Sequence, residues 1–364
     1  MRRLQNILVT GGSGFIGSNF IRALLTKEQD FKGRIVNLDI LTYAGNAENL
    51  LDIEKKFGGV KYFFIHGNIC DKEIVNAVFN KYNIDTVVHF AAESHVDRSV
   101  LNAEVFLQTN IFGTFNLLEA AKRFWQKKDG TMRSDVLFHH ISTDEVYGSL
   151  NADGFFTENT SYKPRSPYSA SKASSDHLVQ AYFHTYGLPV TISNCSNNYG
   201  PFQFPEKFIP LMILNILKNK ALPVYGDGKQ IRDWIHVEDH NRAVLLIMQN
   251  GRLGESYNIG GENEWENIEL LHKIIEIVSR KENLKQEKVE ALITYVADRP
   301  GHDRRYAIDC TKLKTELCWN RAFDFAAGLE NTVDWYLSNK KWLDNVCSGE
   351  YKDWIKKNYV KRQN

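Results

Sequence analysis

The chain has 364 residues, of which 43% are hydrophobic and 24% charged, as is ordinary for a globular protein with a substantial core. Its formal net charge of +1 gives no reason to expect nucleic acid or an anionic membrane as a partner, so local groups must hold any anionic ligand. The apolar runs are too short to span a bilayer, and the N-terminus enters a strand without a signal peptide. Five scattered cysteines without a CxxC pair predict reduced thiols and no structural zinc. We therefore expect a soluble, cytoplasmic protein.

A glycine-rich turn follows the first predicted strand and precedes a helical pattern. Gly11 allows the tight turn, Gly14 lets the backbone approach a pyrophosphate, and Gly17 lets the helix pack on the strand. A glycine pattern alone is also compatible with a plain turn, but here strand, turn and helix follow in order. Asp39 ends the second predicted strand about twenty residues further on. An acid there accepts hydrogen bonds from ribose hydroxyls and repels a 2′-phosphate, so the pattern predicts NAD rather than NADP.

Strands and helices alternate through the first half of the chain, which predicts an α/β fold with a Rossmann-type doubly wound parallel sheet. The alternation loosens after residue 193, where residues 194–201 read as turn-rich chain. We predict that a helix at 240–248 and a strand at 256–259 return to the first domain, and that the rest forms a smaller α/β lobe at the C-terminal side. The predicted domains are residues 1–193 plus about 236–260, for NAD, and about 194–235 plus 261–364, for the substrate.

The chemistry-bearing residues follow a buried strand and begin a later helix. Thr143, Asp144 and Glu145 stand at the predicted strand end, and neighbouring carboxylates can differ strongly in pKa, one acting as acid and the other as base. Alone, this triplet reads as a polar strand end with a helix cap. Tyr168 and Lys172, four residues apart at a helix start, share one face. We expect the lysine ammonium, with a bound nicotinamide, to lower the tyrosine pKa from ~10 to about 7.

Together these residues resemble the extended short-chain dehydrogenase/reductase family, in which such a tyrosine and lysine drive hydride transfer. The resemblance extends over essentially the whole chain to the branch whose members remove water from dTDP-glucose, and is carried by LTYAGN, HFAAESHVDRS, HHISTDEVYG, SPYSASKASSDHL and DRPGHDRRYAID. It implies an NAD-dependent lyase that makes dTDP-4-keto-6-deoxyglucose for deoxysugar biosynthesis, such as that of dTDP-rhamnose and O-antigen. It also implies a homodimer.

The resemblance further implies a role for each catalytic residue. Tyr168 would be the base at the sugar 4-hydroxyl, oriented with Thr143 and Lys172. Glu145 would remove the C5 proton, which oxidation at C4 makes acidic, and Asp144 would protonate the departing C6 hydroxyl. The hydride then returns to C6, so tightly bound NAD is regenerated in each turnover. The cofactor would contact Gly11, Gly14, Phe15, Ile16, Gly17, Asp39, Ile40, Leu41, Thr42, Asn68, Ile69, Phe90, Ala91, Ala92, Ser94, Thr109, Tyr168, Lys172 and Asn198. The nucleotide sugar would contact Ser94, Thr143, Asn197, Lys207, Phe208, Pro223, Val224, Tyr225, Arg232, Asn267, Arg299, His302 and Tyr359.

The sequence departs from the family pattern at a few loop positions. Asn68 replaces the usual aspartate after the third strand, and we expect weaker rather than lost contact with the adenine amino group. Ile40 replaces a common lysine, and Arg165 stands where serine is usual. These changes concern loop contacts rather than the reaction.

Three alternatives remain open. An epimerase or decarboxylase of the same fold needs no acid–base pair at C5 and C6, so Asp144 and Glu145 argue against it. A 4,6-dehydratase acting on a UDP- or GDP-sugar is not distinguished by the sequence. A catalytically dead NAD-binding regulator would be expected to lose at least one of the five catalytic residues.

Dimerisation is predicted from two helices, residues 103–125 and 169–186, that carry apolar residues on more than one face. One face must pack on the sheet, and the other would pair across a two-fold axis. The residues concerned are Phe112, Phe115, Leu118, Leu178, Tyr182 and Phe183.

Overall fold

A seven-stranded parallel sheet forms the centre of the computed structural model, which describes residues 1–347. The sheet order is β3-β2-β1-β4-β5-β6-β10, so the predicted doubly wound α/β fold is confirmed. The strands are β1 Asn6–Thr10, β2 Arg34–Asp39, β3 Tyr62–His66, β4 Thr86–His89, β5 Leu137–Thr143, β6 Val190–Cys195, β7 Asn197–Tyr199, β8 Leu222–Tyr225, β9 Ile231–His236, β10 Ser256–Ile259, β11 Glu264–Glu266 and β12 Ile293–Val296.

Helices cover both faces of this sheet and build the smaller lobe. They are α1 Phe15–Thr26, α2 Leu51–Phe57, α3 Lys72–Tyr82, α4 Val96–Leu101, α5 Ala103–Phe106, α6 Thr114–Trp125, α7 Pro167–Tyr186, α8 Phe208–Leu217, α9 Val237–Asn250, α10 Asn267–Glu282, α11 Gln286–Glu290, α12 Thr311–Leu317, α13 Phe325–Ser338 and α14 Lys340–Val346. No helix among residues 1–347 is long and apolar enough to cross a membrane.

The central strands are apolar on both faces because helices cover both sides. Alternate residues of β1 enter different cores: Ile7 and Val9 pack in one cluster, whereas Leu8 packs in the other. All three are 0% exposed. Near-continuous apolar strands of this kind are typical of buried parallel sheets.

The smaller lobe has its own apolar core, formed mainly by α8, α10 and α13. Two small sheets accompany it, in the orders β11-β9-β7 and β12-β8. The prediction of turn-rich chain at residues 194–201 is wrong, since β6 continues to Cys195 and β7 pairs with β9. The polar side chains of this segment are typical of turns, but they lie in buried strands. Asn194, for example, is 0% exposed within β6.

A π-helical turn, Leu107–Gly113, interrupts the long helical run that was predicted for residues 103–125. Asn110 in this turn accepts a 2.9 Å hydrogen bond from the Glu93 N–H and donates a 3.0 Å bond to the Glu93 carbonyl oxygen. It also donates to Ser171 Oγ at 2.8 Å. The irregular turn therefore connects the loop after β4 to α7, and π-helical turns of this kind are frequent at functional sites.

Part of the predicted dimer face is wrong. Leu118 is 0% and Tyr182 6% exposed, and both belong to the core cluster between the helices and the sheet. Leu178 and Phe183 pack against the same cluster. Of the predicted residues, Phe112 and Phe115 are the exposed ones, at 55% and 36%.

Candidate active site

The carboxyl ends of the seven parallel strands lie along one edge of the sheet. β1 and β4 are neighbours in its centre, and the chain leaves them towards opposite sides of the sheet order. A crevice forms at such a switch point, and ligands of open α/β sheets bind there. The glycine turn follows β1, the predicted small residues follow β4, and the predicted catalytic residues follow β5.

The glycine turn has the conformation that its sequence predicts. Gly11 has a φ of +70°, and a Cβ on it would lie 2.6 Å from the backbone nitrogen of Ala91. A Cβ on Gly17 would lie 2.4 Å from the Gly11 carbonyl oxygen. Gly14 is the N-cap of α1 and, having no side chain, leaves the first N–H groups of this helix for an anion. The first residues of α1 are the predicted Phe15 and Ile16.

Asp39 is the last residue of β2 and is 7% exposed. Its Oδ2 accepts a 2.9 Å hydrogen bond from the Ser13 N–H, and its Oδ1 accepts a 2.8 Å bond from the Leu41 N–H. These bonds hold the carboxylate beside the glycine turn and leave lone pairs on both oxygens for ribose hydroxyls. The other predicted residues of this loop, Ile40 and Thr42, are exposed.

Two other predicted cofactor residues already make contacts within the protein. Asn68 Oδ1 already accepts a 2.9 Å hydrogen bond from the Cys70 N–H. Ile69 is 5% exposed and packs in the core, so its backbone rather than its side chain can contact a ligand. Asn198 Oδ1 is buried without a hydrogen-bond partner among residues 1–347, so it can accept a hydrogen bond from a ligand. The remaining residues lie after β4 or in the π-helical turn: Phe90, Ala91, Ala92, Ser94 and Thr109.

The predicted catalytic residues at the end of β5 lie in a tight turn. β5 ends at Thr143, and a 3₁₀ helix, Asp144–Tyr147, follows. Thr143 Oγ1 accepts a 3.3 Å hydrogen bond from the Glu145 N–H and donates a 3.3 Å bond to Asp144 Oδ1. Gly148 ends the turn with a φ of +94°, which disfavours any side chain. This turn places one hydroxyl and two carboxyl groups at the edge of the sheet.

The helix α7 brings the second part of the motif to the same place. Ser166 forms a capping box at its N-terminus and Pro167 occupies the first position, so the sequence specifies where the helix begins. Tyr168 and Lys172 are 8% and 4% exposed. The Thr143 side chain opposes the rise in the pKa of Tyr168, so it lies beside the tyrosine hydroxyl. The predicted hydroxyl, tyrosine and lysine therefore meet at one site.

The expected lowering of the tyrosine pKa is not present in the protein alone. Burial raises the pKa of Tyr168 well above its usual value, and the charge of Glu145 acts in the same direction. Lys172 Nζ donates a 2.8 Å hydrogen bond to the Ile141 carbonyl oxygen and lies 3.3 Å from His140 Nε2. Its nearest partners are therefore on β5, while burial disfavours the phenolate of the tyrosine.

The two carboxyl groups have different surroundings. Burial raises the pKa of Asp144 well above its usual value, and Glu145 adds to the rise. Asp144 Oδ2 is buried without a hydrogen-bond partner in the described part of the chain. Burial also raises the pKa of Glu145, but the cations of Arg299 and Arg232 oppose this. Burial thus favours the protonated form of Asp144, whereas the two arginines stabilise the charge of Glu145, and such a difference suits an acid beside a base.

Arg232, a predicted substrate residue, is 6% exposed in β9. Its guanidinium donates to the carbonyl oxygens of Ile231 at 2.8 Å and Asp303 at 2.9 Å, and lies 4.3 Å from the Tyr306 ring centroid. No carboxylate forms an ion pair with it among residues 1–347. Its positive charge is thus held in place and left for an anionic ligand.

A second cation, Arg299, is held by a residue that the sequence did not single out. Asp97 on α4 is 2% exposed, and its Oδ1 lies 3.2 Å from Arg299 Nη1. Its Oδ2 accepts a 2.8 Å hydrogen bond from the Tyr225 hydroxyl. His302 Nδ1 lies 2.6 Å from Asp298 Oδ1 in the same loop. Asp97 therefore brings together two of the predicted substrate residues.

The other predicted substrate residues are distributed over the smaller lobe. Lys207 Nζ donates a 3.1 Å hydrogen bond to the Ser94 carbonyl oxygen. Pro223 and Val224 are buried in β8, and Val224 packs in the core, so their backbone is what they can offer. Tyr359 lies outside the described residues. The remaining residues lie at β7, the start of α8 and the start of α10: Asn197, Phe208 and Asn267.

The residues that hold the predicted ones carry no local signal in the sequence. Asp97, Arg98 and Glu206 are such residues; the first two lie within the segment HFAAESHVDRS, whose resemblance was noted without roles for them. Glu206 is 3% exposed, and a buried charge must be paired. Its need for a cationic partner therefore became evident only once its burial was known.

Comparison with known proteins agrees with this geometry. The family model described as GDP-mannose 4,6 dehydratase matches residues 8–332. The dTDP-glucose 4,6-dehydratase 1 of Escherichia coli (strain K12) is 52% identical, over 99% of this chain and 100% of its own. The dTDP-glucose 4,6-dehydratase of Neisseria meningitidis serogroup B is 53% identical, over 96% of this chain and 98% of its own.

A solved structure gives the same result. DesIV, a dTDP-glucose 4,6-dehydratase from Streptomyces venezuelae crystallised with NAD, matches with a TM-score of 0.84 and 43% identity. The match covers 95% of this chain and 100% of that one. Identity of this degree over the whole length leaves no doubt about descent, and the chain belongs to the dTDP-glucose 4,6-dehydratase family.

Proposed function

We propose that the protein converts dTDP-glucose into dTDP-4-keto-6-deoxyglucose and water, with NAD as its cofactor. The observation that carries this proposal is the pair of adjacent carboxyl groups at the end of β5, beside Tyr168. Burial raises the pKa of both groups, but Glu145 adds to the rise at Asp144, whereas Arg299 and Arg232 oppose it at Glu145. A dehydration needs both an acid and a base at neighbouring carbons, whereas an epimerisation at C4 needs neither.

The residues present fit NAD. The glycine turn leaves room where a Cβ on Gly11 would meet the backbone, and the buried Oδ1 of Asn198 has no partner within residues 1–347. The N-terminus of α1 would hold the pyrophosphate, and Asp39 would accept hydrogen bonds from the adenosine ribose and disfavour a 2′-phosphate. When bound, NAD supplies a reversible acceptor for one hydride from the sugar. Denatured enzyme should therefore release NAD, and little NADP.

Tyr168 and Thr143 would act at the sugar 4-hydroxyl. The phenolate form of the tyrosine takes the hydroxyl proton while C4 loses its hydride, and the threonine hydroxyl holds both groups in line. Because burial raises the pKa of Tyr168, the phenolate must be stabilised when substrate and cofactor are bound. Lys172, one turn further along α7 and buried next to β5, would supply an ammonium for this.

Glu145 and Asp144 would then carry out the elimination. Oxidation at C4 makes the C5 proton acidic, and the Glu145 carboxylate removes it. The C6–oxygen bond breaks, and the proton on Asp144 goes to the departing hydroxyl, giving water. The hydride returns to C6 and the proton to C5, so the sugar leaves as the 4-ketone. Asp144 Oδ2 has no hydrogen-bond partner among the described residues, so its protonated form would donate this proton.

The smaller lobe would bind the nucleotide. The chain carries a net charge of only +1, so two negative phosphates must be held by local cations. Arg232, Arg299 and Lys207 each oppose the rise in the pKa of Glu145, so all three cations lie near this carboxyl group. We extend the proposal to the two domains predicted from sequence, with NAD in the sheet domain and the nucleotide sugar in the lobe.

We also propose that the protein works as a homodimer. Six apolar side chains on α4, α5, α6 and the intervening π-helical turn are at least 36% exposed. Isolated apolar residues are normal on a surface, but several on one helical run are typical of an interface. We call them the helical patch: Val100, Leu101, Val105, Leu107, Phe112 and Phe115. A second copy of this chain would cover it.

Five free cysteines suit a reducing compartment, so we propose that the enzyme works in the cytoplasm. Its product would feed deoxysugar synthesis, such as that of dTDP-rhamnose for O-antigen.

Product analysis tests the function. Purified enzyme is incubated with dTDP-glucose and, in parallel, with UDP-glucose, and products are separated and weighed by mass spectrometry. We expect dTDP-glucose to lose the mass of one water much faster than UDP-glucose. A product of unchanged mass, or a preference for UDP-glucose, would contradict the proposal.

A further inference from the structure

Three separate segments of the chain meet at Arg98 on α4. The Nε and Nη2 atoms of Arg98 lie 3.2 and 3.1 Å from Glu206 Oε2, in the segment before α8. Its guanidinium carbon also lies 3.6 Å from the ring centroid of Tyr43, in the loop after β2. The Glu206 side chain is 1% exposed and the Arg98 side chain 21%. We call these three residues the Arg98 clamp.

The Tyr43 side of the clamp belongs to the loop that closes over the ribose-binding acid. Asp39 Oδ1 accepts from the N–H of Leu41, in this loop. The Asn46 N–H, at the other end of the loop, donates a 3.0 Å hydrogen bond to the Ser13 carbonyl oxygen in the glycine turn. The loop therefore lies across the predicted adenosine end of the cofactor site, and its movement would open that end.

The Glu206 side of the clamp belongs to the segment that enters the substrate lobe. Glu206 precedes Lys207, whose ammonium reaches the Ser94 carbonyl oxygen at 3.1 Å. The Phe204 ring, in the same segment, lies 5.9 Å from the Tyr43 ring in an edge-on contact. The clamp therefore joins the cofactor loop directly to the segment that carries a predicted nucleotide-sugar cation.

The contacts of the clamp are strong because the Glu206 carboxylate is buried. Both hydrogen bonds are charge-assisted, and a buried carboxylate that loses its cation is strongly disfavoured. His95 Nε2 is 4.0 Å from Glu206 Oε2, but burial lowers the pKa of His95 to about 4, so it is neutral at neutral pH. The guanidinium face on the Tyr43 ring adds a cation–π contact that a lysine ammonium reproduces only in part.

We propose that Arg98 is a positioning residue that couples the cofactor loop to the nucleotide-sugar site and so keeps NAD on the enzyme between turnovers. This inference rests on the proposed function, in which the hydride taken from C4 must be returned to C6 within the same cycle. A ligand that orders the segment at Glu206 stabilises the closed loop at Tyr43. By linkage, the two ligands then strengthen each other's binding by the same factor.

The experiment measures how fast bound NAD leaves the enzyme. NAD-loaded protein is mixed with an NAD-consuming trap, with and without thymidine diphosphate as the probe for the nucleotide-sugar site. For wild type we expect slow release that thymidine diphosphate slows further. For Arg98→Ala we expect release about tenfold faster, with the effect of thymidine diphosphate largely lost. Arg98→Lys, which keeps the charge but not the planar stack, should lie between the two.

Two further variants keep the test specific. Tyr43→Leu removes the ring and leaves the ion pair, so it should also speed NAD release even if Arg98→Ala fails to fold. Arg133→Ala is the matched control, because it breaks an exposed arginine–aspartate pair, with 2.7 Å between Arg133 Nη2 and Asp135 Oδ2, and should leave release unchanged. With NAD in excess, kcat of the Arg98 and Tyr43 variants should stay near wild type while the apparent KM for NAD rises.

The outcomes separate this inference from the proposed function. Wild-type release rates and an unchanged thymidine diphosphate effect in Arg98→Ala and Tyr43→Leu would overturn the inference, even in an enzyme that dehydrates dTDP-glucose. An enzyme that binds NAD but leaves dTDP-glucose unchanged would overturn the proposed function instead, and the release rates would still decide the role of Arg98. A kcat loss that excess NAD does not restore would assign Arg98 to the chemistry and also contradict the inference.

Discussion

Lys172 Nζ donates a 2.8 Å hydrogen bond to the carbonyl oxygen of Ile141, two residues before the end of β5. This bond fastens α7 to the strand and brings Tyr168, one helical turn earlier, to the turn that carries the two carboxyl groups. The lysine thus has a structural role in the protein alone, before any ligand is bound. Its effect on the tyrosine belongs to the complex with substrate and cofactor.

The first prediction separates the base from the acid. Glu145→Gln keeps the size of the side chain but cannot accept the C5 proton, so C4 oxidation should survive and elimination should stall. We expect the elimination to slow by about a hundredfold or more. Single-turnover absorbance should show reduced nicotinamide accumulating, and mass spectrometry should show no solvent deuterium at C5.

Asp144→Asn is the matched variant for this prediction. The C5 proton can still leave, so exchange with solvent deuterium should persist while loss of water becomes slow. Exchange at C5 as fast in Glu145→Gln as in wild type would show that another group is the base.

The second prediction concerns stability and pH at Asp144. Burial raises the pKa of this carboxyl well above its usual value, so the folded protein binds the proton more tightly than the unfolded chain. The stability that this proton confers is complete below the unfolded pKa of ~3.9 and is lost as the pH rises through the folded pKa. Asp144→Asn cannot ionise and should melt above wild type at alkaline pH, but not at strongly acidic pH.

Thermal unfolding followed by circular dichroism over a series of pH values checks this. Asp153→Asn, which changes an exposed carboxyl, serves as the control and should follow wild type throughout. Equal melting curves for wild type and Asp144→Asn at alkaline pH would mean that Asp144 is not held protonated in the folded protein.

The third prediction concerns Asp97. Its carboxylate holds Arg299 at 3.2 Å and Tyr225 at 2.8 Å. Asp97→Asn removes the charge that positions the arginine, so KM for dTDP-glucose should rise by about tenfold, which corresponds to a loss of ~1.4 kcal/mol, while kcat changes less. Steady-state kinetics measure both.

Asp227→Asn is the control for Asp97→Asn. It also removes an arginine partner, since Asp227 Oδ1 lies 2.9 Å from Arg304 Nη1, but this pair is exposed on both sides. We expect a small effect there. Equal effects of the two substitutions would mean that Asp97 has no special role in binding the nucleotide sugar.

The fourth prediction concerns the helical patch. Phe112 is 55% exposed within the patch, so Phe112→Asp places a charge where a second copy would pack and should yield monomers in sedimentation or light scattering. Val60 is 78% exposed between α2 and β3, outside the patch, and Val60→Asp should remain dimeric. A wild-type protein that is monomeric at micromolar concentration would contradict the proposed dimer.

The sequence predicted the parts of the site that depend on local chemistry. The turn at Gly11, the helix start at Tyr168 and the spacing of Tyr168 and Lys172 all follow from short-range rules of conformation. Such rules failed at Asn194, because its polar segment was predicted to be turn-rich chain but includes a buried strand.

Contacts between distant segments could not be predicted in the same way. Asp97 and Arg299 are 202 residues apart, and Arg98 and Glu206 are 108 apart. Nothing in local spacing indicates which charges will meet once the smaller lobe folds against the sheet. The shift in the pKa of Tyr168 could not be predicted for the same reason. Burial raises this pKa, and burial depends on the whole fold.

The central claim is that one hydride moves from C4 to C6 of the same sugar while C5 is deprotonated and water leaves. dTDP-glucose labelled with deuterium at C4 tests it directly, with products read by NMR and mass spectrometry. We predict that the product, lighter by one water, carries the deuterium in its C6 methyl group. Deuterium found again at C4 in a product of unchanged mass would contradict the account and indicate an epimerase instead.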